Sequence, residues 1–313
     1  MANETTTTTL NDIVYSAAIE QTFLDYAHDF VVATPLFRRF SLVGKPSNVL
    51  QLPRITSDMT VNDNGASTDG EFDATEGTAL ANTAVDTENV QCTVGEYGFQ
   101  TTVTDNVSED SIMGADFMSM VVMHAARILT TAVETDAVGL FPSASNSVGA
   151  SSVNITVAQA VAMIDGIRTR GCHAPNGVVY VFDDQTWADL RDILISIGTS
   201  WAAYPAGAAF LNAGSDAAAG LLDGRVGQFY GFPCYSSGLT PTANAAADVV
   251  SAAFVHSTPA NDGMAAYGYV EKRPFRVEPI RVPGSRGTQV VFTRRCAVGE
   301  IQDAAVTKAV TDL

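Results

Sequence analysis

Mostly apolar residues recur every three or four positions through residues 108–141, at Met113, Phe117, Met120, Val121, Ile128 and Ala132, with the polar His124 and Thr135 in the same series. That spacing lines one face of a helix. Ser108 stands at the N-cap position, and Glu109 and Asp110 bring negative charge to the first turn, where unpaired N–H groups and the helix dipole favour it. Pro142 closes the run. A helix of that length is about 50 Å long. It predicts a spine on which other elements lie.

Upstream, residues 1–10 form a flexible polar Thr tract. Ile13, Ala17, Phe23, Ala27 and Phe30 give residues 10–30 a helical pattern, bent or ended by Pro35, which suits an exposed arm as well as a docked helix. Phe37-Arg38-Arg39-Phe40 reads either as an anchor against a neighbouring surface or as an ordinary amphipathic turn. Residues 49–55 and 90–103 read as strands, the second carrying Val94, Tyr97, Phe99, Thr101 and Val103. The intervening stretch of about thirty-five residues is too long for a structureless loop in a compact domain. It predicts a hairpin-like arm that leaves the body and returns just before the spine.

After Pro142 and a Ser/Ala/Gly linker, Thr156-Val157-Ala158-Gln159 supplies a capping box for a helix running to Arg170, with Gly171 in the C′ position. Residues 178–182 are an unbroken apolar strand, and Asp183 or Asp184 caps a helix carrying Trp187, Leu190 and Ile193. This opens a mixed α/β domain. Residues 198–220 read as surface loops and residues 222–235 as strand, turn, strand. Further strands are predicted at 249–256, 264–277 and 288–298, with a hairpin turn at 283–287. There is no internal repeat.

A chain of 313 residues with 46% hydrophobic content has ample material for one large or two modest domains. Its 17 basic and 34 acidic residues give a net charge of −17, which argues against a reader of DNA sequence that grips phosphates, though not against a wall enclosing nucleic acid. Cys92, Cys172, Cys234 and Cys296 show no C-x-x-C spacing and read as buried thiols in a reducing cytosol. Residues 1–12 lack a signal-peptide pattern, and no apolar run reaches the roughly 20 residues of a membrane span. A cytoplasmic product is expected.

Charge is distributed unevenly. Residues 55–126 contain no Lys or Arg but hold Asp58, Asp63, Asp69, Glu71, Asp73, Glu76, Asp86, Glu88, Glu96, Asp105, Glu109, Asp110 and Asp116. Such a stretch is a solvated acidic loop, a calcium site without the EF-hand pattern, or the counterpart of a basic surface. Lys272, Arg273, Arg276, Arg281, Arg286, Arg294 and Arg295 cluster in the last strands. Enzyme signatures are absent: there is no G-x-S-x-G, Walker A, H-E-x-x-H or Rossmann glycine set. Gly224, Gly227 and Gly231 lie between strands, without the helix a phosphate loop needs. His124 reads as a core histidine, Cys172-His173 lacks a second base, and Asp183-Asp184 is explained by capping.

The order of elements resembles the major capsid protein of tailed bacteriophages, the Hong Kong 97 fold, an α+β architecture. The resemblance is carried by the loop 52–103 feeding helix 108–141, by Phe182-Asp183-Asp184-Gln185-Thr186-Trp187-x-x-Leu190, and by Gly224-Arg225-Val226-Gly227 through Gly231-Phe232-Pro233. It implies an N-terminal arm (1–48), an extended E-loop hairpin (49–107), a peripheral domain with the spine helix (108–175 and 264–313) and an axial domain (176–263). The implied function is self-assembly, as pentamers and hexamers, into an icosahedral virion capsid around double-stranded DNA, in the host bacterial cytoplasm. Scaffolding, portal and terminase, and cement or decoration proteins are the implied partners. No catalysis, cofactor, metal or membrane is implied.

The branch of this family that welds its shell through an E-loop lysine is not matched, because the lysines here are Lys45, Lys272 and Lys308. Fewer than fifty residues precede the loop, so a separate scaffold is expected. In the family the E-loop lies across the next subunit. The acidic residues Asp58, Asp63, Asp69, Glu71, Asp73 and Glu76 are therefore expected to dock on Lys272, Arg273, Arg276, Arg281 and Arg286 of an adjacent copy, unless those cations meet DNA instead. Alternatives are an encapsulin-like compartment shell, an enzyme with an unrecognised site, and a tail or adhesin protein.

Overall fold

Two runs without a single exposed residue organise the chain: β6 (Val178–Phe182) and β10 (Asp248–Val255). Continuous apolar strands of this kind need cover on both faces. In the computed structural model, which describes residues 31–57, 86–106, 115–172, 177–200, 225–229, 231–260 and 262–312, they form the centre of a seven-stranded sheet. Its order is β5 (Ser147–Gly149), β13 (Val306–Asp312), β10, β6, β8 (Phe232–Ser236), β7 (Arg225–Phe229), with β9 (Thr242–Ala243) also on β10. The β13–β5 and β6–β8 pairs are parallel and the rest antiparallel.

The helices around this sheet start where their sequences say. In α2 (Val157–Thr169) the Thr156 hydroxyl accepts from Gln159 N–H at 3.2 Å, and the Gln159 side chain accepts from Thr156 N–H at 2.8 Å. Gly171, at φ +84°, takes the left-handed position that ends it. Ala160, Met163, Ile164 and Ile167 face the core. Asp183 caps α3 (Asp184–Ser200) by accepting from Gln185 N–H at 2.9 Å, and Trp187 and Leu190 are buried. The cap reading of the Asp183-Asp184 pair is borne out.

A second sheet has the order β1 (Arg38–Ser41), β11 (Tyr267–Val282), β12 (Gly287–Glu300), β4 (Tyr97–Thr104). The spine helix α1 (Ala115–Val138) packs Ala125 and Leu129 on Val290 and Phe292 of this sheet. Its 24 described residues span about 36 Å, and it stops before Phe141, which begins a 3-10 turn. The expected N-cap at Ser108 lies outside the described residues.

The buried stripe of α1 also differs from the expected one. Ala125, Leu129, Val133 and Ala137 are buried, whereas Ile128 is 50% exposed and Thr135 is exposed. The helix is apolar on more than one side, so periodicity alone did not select the inward face.

The strand expected at 90–103 is two strands in different sheets. β3 (Asp86–Thr93) pairs with β2 (Val49–Ser57), and β4 joins β12. At the break, Val94 N–H turns to Asn48 O and Gly95 N–H to Cys296 O. Strands β1, β5 and β13 were not anticipated. The N-terminal helical pattern at 10–30, most of the acidic arm and most of the stretch 198–220 expected as surface loops lie outside the described residues, and residues 198–200 of that stretch belong to α3 instead.

Candidate inter-subunit surface

The arm leaves the body through the β2–β3 ladder, which runs from Val49↔Thr93 to Ser57↔Asp86. Its root is a small apolar cluster of Leu42, Cys92, Val94, Val270 and Ala297, with Phe40 and Leu50 against it. A Cβ at Gly299 would stand 2.6 Å from the Cys92 sulfur, so glycine there lets the arm sit close on the end of β12. Arg54 adds a polar tie, donating to Ile301 O at 3.2 Å and pairing with Glu88 at 2.8 Å. Ile55, the next residue outward, is 63% exposed.

The basic hairpin is placed as expected, but its cations have partners in their own chain. Arg273 pairs with Glu96 at 2.5 Å, Arg276 with Glu278 at 2.6 Å, and Arg281 holds both oxygens of Asp105 at 2.5 and 2.6 Å. Lys272 donates to Ser47 O at 2.8 Å. The Arg281 guanidinium keeps the Asp105 carboxyl below the usual carboxylate range. Glu96 and Asp105 belong to the acidic stretch and flank β4, so the hairpin clamps both ends of that strand.

Arg286 is different: it sits at the hairpin tip in the left-handed region (φ 46°), its carbonyl accepts from Asp105 N–H at 2.9 Å, and its exposed side chain has no carboxylate partner among the described residues. Asp58, Asp63, Asp69, Glu71, Asp73 and Glu76 lie outside the described residues.

The most heavily bonded carboxylate among the described residues is one that spacing in the sequence does not single out. Glu134, fully buried on α1, accepts from the backbone N–H groups of Val32 (2.7 Å), Ala33 and Thr34 (2.9 Å), and from the Thr34 hydroxyl at 2.5 Å. These donors open a 3-10 turn at Thr34–Leu36, where unpaired N–H groups favour an anion. The spine thereby grips the chain where it emerges from the N-terminal region. Just beyond, Phe37 is buried in this chain's own core against Tyr267, at 4.9 Å between ring centroids, and Arg38 lies over the Phe40 ring. An acidic residue between the apolar Val133 and the pair Ala137 and Val138 was the available signal, and the nearby Asp136 carries the same one. The partners of Glu134 are about a hundred positions away.

The enzyme-like candidates resolve into structure. Both Asp183 oxygens are used, by Gln185 N–H and by the Thr240 hydroxyl at 2.5 Å. The four cysteines are free and buried, and burial pushes the Cys92, Cys172 and Cys296 thiols up, away from a reactive thiolate. His173 lies outside the described residues, and His124 is half-buried on the spine. Among the described residues no group of three or more His, Cys, Asp or Glu is placed to hold a metal, and no helix is long and apolar enough to cross a membrane.

A long two-stranded arm, a spine helix on a four-stranded sheet and a second mixed sheet together make the fold of capsid shell proteins. The capsid of a native GTA particle shares it at a TM-score of 0.67 and 14% identity over 96% of each chain. The capsid of cyanophage P-SCSP1u matches at 0.63 and 12% identity, over 99% of this chain and 96% of that one. The holo-SrpI encapsulin of Synechococcus elongatus PCC 7942 matches at 0.56 and 10% identity, over 89% and 86%. No protein-family model and no curated protein matches the chain.

Proposed function

We propose that this chain is the coat subunit of an icosahedral phage shell that encloses double-stranded DNA, assembling through pentamers and hexamers in the bacterial cytoplasm. The carrying observation is that likeness to solved capsids, those of a GTA particle and of a cyanophage among them, covers 96% and 99% of the chain. In this reading 1–48 is the N-terminal arm, 49–107 the E-loop, 108–175 and 264–313 the peripheral domain, and 176–263 the axial domain. Assembly calls on a scaffold, a portal and a cement protein. DNA is enclosed without being read, which suits a net charge of −17. The subunit has no catalytic role.

The shell is held without covalent welding. The acidic arm of one copy docks on the basic hairpin of the next, and Arg286 is the best-placed contact because Arg273, Arg276 and Arg281 already hold carboxylates. Expression of the full chain with and without co-expressed phage assembly proteins, followed by negative-stain microscopy, tests the reading. Closed shells of uniform size support it, and monodisperse monomers under all conditions overturn it. In the shells, Arg286→Glu lowers resistance to salt and heat; unchanged resistance removes the docking idea.

A second reading, an encapsulin-like compartment, is favoured by the SrpI likeness. Shells filled with protein cargo and free of nuclease-protected DNA would select it.

A further inference from the structure

Five non-glycine residues of the described chain have positive φ, and four of them gather around one side chain. Ser152 (59°), Asn244 (49°), Ala245 (59°) and Ala246 (66°) belong to two surface turns that meet at Asp248. Asp248 is fully buried. Its carboxylate accepts from Ser152 N–H at 2.8 Å, from the Asn244 side-chain amide and from the Ser151 hydroxyl. Independently of that carboxylate, the backbone N–H of Asp312 in β13 donates to Val153 O at 3.2 Å. One buried anion thus joins the two turns, and the backbone bond of Asp312 ties them to the end of β13.

The conformation it locks is costly. L-residues enter the left-handed region singly and with a penalty that glycine escapes. Three in succession make a left-handed turn. Glycine at 245 and 246 would relieve it, yet the chain keeps a methyl group at each. Residues 244–247 and 151–154 are all exposed, and Val153 is 45% exposed, so these apolar groups are not packed within the described chain. Strain held by a dedicated buried carboxylate, under exposed methyls, marks a surface shaped for something outside the subunit.

The chemistry of the patch narrows the partner. Residues 149–154 and 243–247 include no charged side chain, so a polyanion finds no cation to grip. Copies that each carry −17 repel one another and approach most easily through neutral faces.

We propose that the paired turns 150–154 and 243–247 form a preset contact face that packs against a second copy of this chain, with Val153, Ala245 and Ala246 filling a recess on it. This rests on the shell-subunit reading. The test uses the full chain in three forms: parent, Ala246→Arg, and the double variant Ala245→Gly with Ala246→Gly. Both variants are expected to fold, the glycine form melting slightly above the parent. Ala246→Arg should lower shell yield at least tenfold by sedimentation, and the glycine form should need a several-fold higher subunit concentration to assemble. Parental yield from a folded Ala246→Arg variant overturns the proposal. If that variant misfolds, the glycine form decides, and assembly at the parental threshold is the overturning result. A parent that makes no shells sinks the shell reading alone. The face is then judged by subunit self-association in sedimentation, which Ala246→Arg must weaken, and a parent that stays monomeric at every concentration overturns the face as well.

Discussion

The two sheets put their apolar residues to opposite ends. Every residue of β6 and β10 is buried, so the centre of the seven-stranded sheet is covered on both faces. The four-stranded sheet buries Val290 and Phe292 under the spine but leaves Ile280 48% exposed on a long projecting ladder. Strand β11 belongs to both worlds. Its first four residues, Tyr267 to Val270, are buried, whereas Pro274, Arg276, Pro279, Ile280 and Arg281 are exposed. One continuous strand therefore runs from the buried core, to which Tyr267 and Tyr269 contribute, out to a platform whose charges and apolar groups remain accessible. The difference teaches that stability and association are assigned to different ends of the same element.

The comparison is tested first in the core. Phe254, fully buried on β10 against Phe37, Phe141 and Tyr267, is expected to cost about 3–5 kcal/mol as alanine, read as a lower urea midpoint at unchanged slope. A loss below about 1 kcal/mol would show that the seven-stranded core is not the stabilising half. Next comes the clamp between spine and arm. Glu134→Ala strands three buried N–H groups and should cost about 3 kcal/mol. Glu134→Gln retains an acceptor oxygen but adds an amide facing donors, and should fall between alanine and parent in the same titration.

Acid separates the regions differently. Hydrogen bonds from Asn244, Ser151 and Ser152 hold the Asp248 carboxyl below its ordinary range. A depressed carboxyl stabilises the fold fully above its unfolded value of about 3.9. That contribution is lost as pH falls through the lower folded value, where the native state must take up the proton. Melting temperature measured from pH 5 down to pH 2.5 should therefore fall for the parent and fall less steeply for Asp248→Asn. Identical slopes would remove Asp248 as a contributor. In the surface pair of Arg281 and Asp105 the carboxyl shifts in the same direction as that of Asp248, but salt screens it, so high salt should leave the Asp248 difference in place.

Legibility followed range. The capping box of Thr156 and Gln159, the stop at Gly171 and the cap at Asp183 are contacts within a few residues, and each was readable from spacing alone. The split of residues 90–103 into β3 and β4 was not, because the break is made by bonds from Val94 and Gly95 to Asn48 and Cys296, far away in sequence. Glu134 and Asp248 escaped for the same reason: each takes backbone donors from a turn about a hundred positions away, and an acid beside apolar residues does not name such partners. The basic cluster was legible as composition, whereas its intrachain pairing with Glu96 and Asp105 required knowing that β4 and β12 are neighbours.

The smallest expected effect bears most directly on the platform. Ile280 stands on the outer half of β11 opposite Gln289, half exposed and outside every buried cluster among the described residues. Truncation to alanine removes little area from water contact, so stability should change by no more than about 0.5 kcal/mol. Ile280→Glu should be equally quiet in the isolated subunit, since the new charge stays hydrated and Arg276 and Arg281 lie on the same strand. In assembled shells the outcome should part from this: a face covered by a neighbouring copy must desolvate the carboxylate, lowering the temperature at which shells open while the subunit's urea midpoint is unmoved. Equal shifts in both measurements would mean that Ile280 serves the fold, and that the platform is less open than its exposure indicates.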